Sequence, residues 1–468
     1  MSGKPAARQG DLTKKGGPIV QGSATVLIGS AGGVACSVCP GGMAVGNPVN
    51  PALGAKVLTG SDELDFALPG PLPLAWQRVY SSYVNAEHGA ACGLLGYGWK
   101  LPLELRVVLQ DERTVLFDAS GRSITFDEAL QPGQALYSSS EDLWLLRGGG
   151  MAGSTAPSSM PAELLPWAQQ PRWSHVPAVL RADPGCVIAA SGAGGAGAPA
   201  WVFLPAGVAG DHVLHAVIDR FGRSQRYQWG EEGEQQGRVV GITDGSGRRY
   251  VLRYERIARD ATAASKPGSR DEARHARHPL LGPDDGVRLV GVDCTLNLLD
   301  PRAVPGNAPR PQPLVGYRYD SAGNLAEVLG ADGTVLRRFG YDALHRMTEH
   351  QVRQGPKHRY VYEDQTAQGR RKGLPARPGA CVAEQHNEEG LSYFFEYSQA
   401  PAQAAQGPED GKDGPVPATA SLPSTSQSST VVRDSLGRTT AYRFEGEGGL
   451  KRLVRLVAPD GAEQGFRY

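Results

Sequence analysis

From Val315 to His350 the chain alternates aromatic or branched residues with Gly, Arg or Glu in two short runs. Each run ends in Tyr-Asp, first at Tyr319-Asp320 and again 22 positions on at Tyr341-Asp342. Alternation with a period of two is the pattern of a half-buried strand. In Asp320-Ser-Ala-Gly323 the aspartate bonds its own backbone while the glycine accepts a left-handed conformation, so the two runs fold back into a β-hairpin.

The same Asp-x-x-Gly-Arg/Asn turn recurs at 118–122, at Asp219 with Gly222 and Arg223, at Asp244 with Gly247 and Arg248, and at Asp434 with Gly437 and Arg438. It recurs once more from Asp342 to Arg346, with His345 in the glycine position. One such turn is an ordinary surface feature, but six among Tyr-rich strands make a set. A lone hairpin cannot bury its apolar face, so copies at roughly 20–50-residue spacing predict neighbours stacked into one continuous antiparallel sheet.

Weaker alternation predicts further strands at 103–110, 113–118, 123–126, 143–146, 201–204, 212–219, 224–229, 239–243, 249–254, 430–434, 439–444 and 450–457. In 69–80, Pro69, Pro71 and Pro73 fix an extended edge segment, after which Leu74, Trp76, Arg78 and Tyr80 occupy one face of a strand. Small residues without periodicity fill 148–200, which reads as a flexible region. The charged run 258–286, the Pro-rich 300–314 and the Ala/Gln/Pro/Ser-rich 398–428 lack the apolar area that offsets ordering entropy, and are expected as disordered inserts.

Composition supports this picture: 62 Gly and 35 Pro in 468 residues suit a turn-rich all-β chain. Lys plus Arg equals Asp plus Glu at 48 each, so no global field attracts nucleic acid or an anionic membrane. The N-terminal residues hold no apolar signal-peptide core and no window is long enough to span a membrane, so cytoplasmic synthesis is expected. Cysteines at 36, 39, 92, 186, 294 and 381 have no framework spacing, as in a reducing compartment.

The run Tyr317-Arg-Tyr-Asp-x-x-Gly-Asn-Leu325, with Asp332-Gly333-Thr and Phe339-Gly-Tyr-Asp342, resembles the YD repeat of Rhs proteins. That resemblance implies a long β-strip spiralling into a hollow shell around a C-terminal toxin. Gly46-x-Pro-Val, LPGPLPL-x-W-x-R-x-Y-x-S over 68–81, and Gly96-Tyr-Gly-Trp99 resemble the domain that precedes Rhs repeats, a plug or cap on the sheet. Pro5, Ala6, Ala7, Arg8, Gly10 and Asp11, followed by Gly-paired short strands, resemble the PAAR module that caps type VI secretion spikes, though only over about the first 35 residues. The implied organisation is a PAAR-like segment at 1–40, a plug domain at 41–147, the flexible region at 148–200, and a repeat sheet at 201–468. The implied role is structural, in delivery of a polymorphic toxin. Its partners would be a trimeric VgrG-type spike protein and the chain's own C-terminal toxin, with export by the type VI system. A glycan-binding surface protein using Trp76, Trp99, Trp144, Trp173 and Trp201 is the alternative. Because the text stops in mid-repeat at Tyr468, so is a truncated remnant.

Chemistry is sparse. Cys36 and Cys39 could hold two corners of a zinc site, which needs about four ligands, or could be a structural thiol pair. His212 and His215, three apart in a strand, face opposite ways, and His275 and His278 sit in a solvated insert. The aspartates come one per turn rather than clustered as for calcium. No nucleophile, phosphate or zincin motif is present, so neither enzyme activity nor a cofactor is expected.

Overall fold

The computed structural model describes residues 43–59, 63–83, 92–118, 123–139, 141–149, 165–192, 199–206, 210–257, 284–296, 311–399, 426–446 and 451–467. It is all-β. From Ala135–Ser138 onward each strand pairs antiparallel with the next, through Ser224–Trp229 and Gln312–Tyr319 to Glu463–Gly465. No ladder between described residues joins the last strand back to the first, so the sheet is a strip. It forks once. The first half of Asp211–Ile218 pairs with Arg106–Leu109, the second half with Ser224–Trp229. A ribbon of Arg106–Leu109, Thr114–Phe117 and Ser123–Phe126 branches off there.

The hairpin turns share one geometry. In those starting at Asp219, Asp244, Asp320, Asp342 and Asp434, the aspartate N–H bonds the carbonyl four residues on, at 3.0 Å each, leaving a three-residue loop. Asp Oδ1 accepts the N–H groups of residues two and four on, at 2.9–3.1 Å. Where the fifth residue is arginine, its Nε donates to Oδ2 at 2.6–2.7 Å. One carboxylate therefore closes the loop and clamps the side chain that ends it. At Asp219 and Asp434 burial works against the charge, but the Arg223 or Arg438 side chain and the loop N–H groups outweigh it and hold the carboxyl below its usual range. The third loop residue is left-handed throughout, with φ of +77° at Gly222, +80° at Gly247, +81° at Gly323 and Gly437, and +60° at His345.

Gly323 also lacks space, since an added Cβ would lie 2.7 Å from Arg288 Nη2, whereas nothing lies within 4 Å at Gly437. Gly323→Val is therefore expected to cost about 1–3 kcal/mol from strain, with the clash added, and Gly437→Ala only about 1–2. Ala322→Ser should be near neutral. Urea unfolding of the three variants checks the order, and equal effects at 322 and 323 would contradict this turn.

Aromatic tips tie paired strands together at the open ends of hairpins. Trp229 Nε1 and the hydroxyls of Tyr254, Tyr362 and Tyr397 donate to the carbonyls of Leu214, Val239, Met347 and Val382, each 15 residues upstream, at 2.7–2.9 Å. The register slips by one residue at Tyr319 and Tyr341, the bulge that follows each left-handed loop residue.

The stretch 148–200, expected as flexible, is corrected over its described part. Residues 165–192 hold two 3-10 turns, Trp167–Gln169 and Pro171–Trp173, a helix Ala178–Ala182 and a strand Val187–Ser191. Trp167, Trp173 and Val176 pack with Cys186, Ile188, Val202 and Ile218 in a core of their own. The inserts are also shorter than expected: Gln312–Tyr319 starts inside 300–314, Ser392–Gln399 and Gln427–Asp434 reach into 398–428, and Asp284, inside 258–286, pairs with Arg288 just beyond it. His212 is buried, and His215 is exposed at a bulge in Asp211–Ile218. No disulfide joins the described cysteines, and Cys186 and Cys294 are buried. No described helix is long and apolar enough to cross a membrane.

Candidate functional site

The described residues between 43 and 104, the plug, form a small body of short strands laid on one face of the strip. Val49–Asn50, Ala55–Leu58, Val79–Ser81 and Trp99–Lys100 make a four-stranded sheet, and Leu64–Ala67 with Ala75–Gln77 makes a ribbon. The alternation read from the sequence explains the docking, since Leu74, Trp76, Arg78 and Tyr80 are all buried together. Most of them join the largest core, along with Tyr250, Val292, Tyr317, Val328, Phe339 and Met347 of the strip.

Polar ties run the length of the contact, and the repeat residues supply most of them. Arg248, the clamp of the Asp244 turn, also donates to the carbonyls of Pro69 and Leu68, at 2.9 and 2.8 Å. Gln225 and the Gly245 N–H bond the carbonyls of Pro73 and Leu72. The prolines thus expose carbonyls without competing donors, and the turns of the strip collect them. Tyr317 OH accepts from Trp76 Nε1 and donates to Asp65, both at 2.7 Å, and Tyr341 OH accepts from Trp99 Nε1 at 2.8 Å. Further along, Val382 N–H bonds Gly54 O, Thr430 Oγ1 donates to Pro51 O, and Tyr360 OH bonds Asn47 O.

At the centre Arg78, fully enclosed, bonds Asp65 through Nε at 2.8 Å and Nη2 at 3.0 Å, and forms an ion pair with Glu63 at 2.8 Å. Arg337 of the strip stands 3.9 Å from the other Glu63 oxygen. Two cations thus face two carboxylates. Burial opposes the charge on Arg78, but Asp65 and Glu63 outweigh it and raise its pKa. Sequence reading placed Arg78 on the buried face without naming its partners; the signal was an arginine in an otherwise apolar alternation, with Glu63 and Asp65 in the same i, i+2 phase.

His345 is explained here. It keeps the left-handed conformation that glycine adopts elsewhere and stacks on Tyr97 of the plug, ring centres 3.6 Å apart, with Nδ1 2.8 Å from Asn324 Oδ1. Of the other expected site residues, Asp219, Gly222, Asp244, Gly247, Asp320, Gly323, Asp434 and Gly437 line the loop tips described above, spread along the strip rather than gathered. Pro5, Ala6, Ala7, Arg8, Gly10, Asp11, Cys36 and Cys39 lie outside the described residues, as do His275 and His278. Among described residues no group of three or more His, Cys, Asp or Glu is placed to hold a metal ion. Trp76, Trp99 and Trp173, offered as glycan platforms, are buried, and Trp144 and Trp201 are half-buried.

The pattern defining the RHS Repeat family matches residues 319–357, across the Tyr319 and Tyr341 hairpins, and a domain of unknown function, DUF6531, matches 46–126. Toxin protein Tse5 of Pseudomonas aeruginosa is 31% identical over the whole of this chain. The chain belongs to the Rhs repeat family. A second relative, double-stranded DNA deaminase toxin A of Burkholderia cenocepacia, is 29% identical over 78% of the chain. The chain spans 29% and 19% of the length of these two relatives. A Photorhabdus luminescens Tc holotoxin pore is 12% identical over 83% of this chain and 20% of its own, at a TM-score of 0.15, too low to bear on the fold. In this Rhs chain the plug coincides with most of the DUF6531 match.

Proposed function

We propose that this chain is the plug and opening turn of the shell of an Rhs-type polymorphic toxin, which a type VI secretion system exports from the cytoplasm. The observation that carries the reading is the plug laid against the repeat strip and held by the repeats' own turn arginines and tyrosines. Such a body closes one face of a sheet, which suits a portion that encloses and docks. The named activities of the relatives belong to proteins several times longer, and a toxin carried further along the frame would be the cargo. Burial of Trp76, Trp99 and Trp173 takes from the glycan-binding alternative most of its platforms.

Docking on a trimeric VgrG-type spike is assigned to Pro5, Ala6, Ala7, Arg8, Gly10 and Asp11, because the run from Pro5 to Ile28 resembles a spike-capping tip, a kind of module that offers flat backbone edges for pairing. The test is retention of the full chain, and of a version lacking residues 1–40, on immobilised spike protein. Retention of the full chain alone is expected; equal retention of both would remove the docking role. Sequencing the downstream frame tests the cargo, since an unrelated domain there supports an effector and an immediate stop a remnant.

A further inference from the structure

The plug strand Ala55–Leu58 sets a buried lysine over the Tyr360 ring of the strip, which stacks on His350. Lys56 donates to the carbonyls of Asn47 and Val57 at 2.9 Å each and lies 4.6 Å from the centre of the Tyr360 ring. His350 and His358 sit opposite each other on Met347–Val352 and Lys357–Tyr362, with ring centres 4.8 Å apart. His350 Nδ1 lies 3.0 Å from the Tyr360 hydroxyl, which also bonds Asn47 O of the plug. His358 Nδ1 is buried with no hydrogen-bond partner among described residues.

The charges around His350 are all positive, whereas two carboxylates partly offset Lys56 at His358. Lys56, His358 and Arg337 face His350, while Lys56, Glu388 and Glu389 face His358, and Tyr360 is neutral. The acid that faces Lys56 is Glu63, already bound to Arg78. Neutral imidazoles are tolerated in this setting, but protonated ones would place like charges in contact where water cannot screen them.

We propose that Lys56, His350 and His358 form a pH-sensitive latch: segment 43–58 stays seated while both imidazoles are neutral and leaves the strip when they are protonated. Burial, then Lys56, lowers the basicity of both histidines, that of His350 well below the ordinary imidazole value, and burial lowers that of Lys56. The sign follows. The seated state binds fewer protons than the released one, so the histidines' contribution to seating is fully present above about pH 6.5 and is lost as pH falls through that value towards the depressed one. Release would break the Gly54–Val382 and Pro51–Thr430 ties together. The inference concerns the plug alone and does not depend on any cargo or spike.

Hydrogen–deuterium exchange of the full chain at pH 7.5 and 5.5, with times scaled to intrinsic exchange rates, reads the latch in peptides covering 43–58, against 239–256 as reference. Protection of 43–58 is expected to fall about tenfold or more at pH 5.5, as when roughly one proton is taken up on release across one pH unit, while the reference changes less. His350→Gln with His358→Gln should retain protection at pH 5.5, and His212→Gln, at the fork, should respond as the unaltered chain does. Undiminished protection in the unaltered chain, or equal loss in the double variant, overturns the latch. If the double variant is already unprotected at pH 7.5, Lys56→Met decides: it must move the loss to lower pH, and an unmoved midpoint rejects the proposal.

Discussion

Replacing Arg78 with methionine is expected to lower the chain's stability by about 3–5 kcal/mol, the cost of stripping one partner from a buried ion cluster. Methionine fills much of the same volume, so the loss is electrostatic rather than a cavity. Asp65 keeps the Tyr317 hydroxyl and Glu63 keeps Arg337 at 3.9 Å, but two buried carboxylates then share one distant cation. Arg78→Lys should fall between, since an ammonium restores the charge but not the paired bonds to Asp65, nor the guanidinium face 4.9 Å from the Trp99 ring. Adding Glu63→Gln and Asp65→Asn to Arg78→Met should recover a good part of the loss. Urea titration followed by tryptophan fluorescence measures all three, because Trp76 and Trp99 flank the cluster. A loss below about 1 kcal/mol for Arg78→Met would mean that the guanidinium is solvated and the plug not seated as described.

The parts of this fold that were legible in the sequence are those where one face is wet. Val315 and Tyr317 point inward between exposed or half-exposed neighbours, so the period of two survives there and the Asp-x-x-Gly turn can be read after it. Val187–Ser191 was not legible because both of its faces are covered. Val187 and Ala189 enter the main core while Ile188 and Ala190 meet Trp167 and Trp173, and a strand buried on both sides is a plain apolar run without alternation. The turn aspartates were legible as loop formers because their bonds are local. What Arg248 holds beyond its own turn was not, since Leu68 and Pro69 lie some 180 residues away and no spacing rule links them. The same holds for Lys56 over Tyr360, and for Tyr97 on His345: a histidine in a left-handed slot announced an exception, and only the plug supplied the reason.

Trp99 should be the second most sensitive position, and the way it fails separates packing from hydrogen bonding. Its ring is fully buried, 5.1 Å from Tyr80 and 4.9 Å from Phe339. Trp99→Ala is expected to cost about 3–5 kcal/mol, because the strip on one side and the plug sheet on the other cannot both close over the gap. Tyr341→Phe leaves the rings in place and removes only the acceptor of the Nε1–H bond, stranding one donor, so about 1–3 kcal/mol is expected. Trp99→Phe with Tyr341→Phe takes away donor and acceptor together. If hydrogen bonding dominates, this pair should be less harmful than the two single losses added; if packing dominates, the cavity left by the smaller ring should make it nearly additive. Thermal unfolding of Trp99→Ala, Trp99→Phe, Tyr341→Phe and the Trp99→Phe/Tyr341→Phe pair distinguishes the outcomes. A Trp99→Ala change that leaves the transition unmoved would place Trp99 outside the contact, and with it the whole seating of the plug on the Tyr341 hairpin.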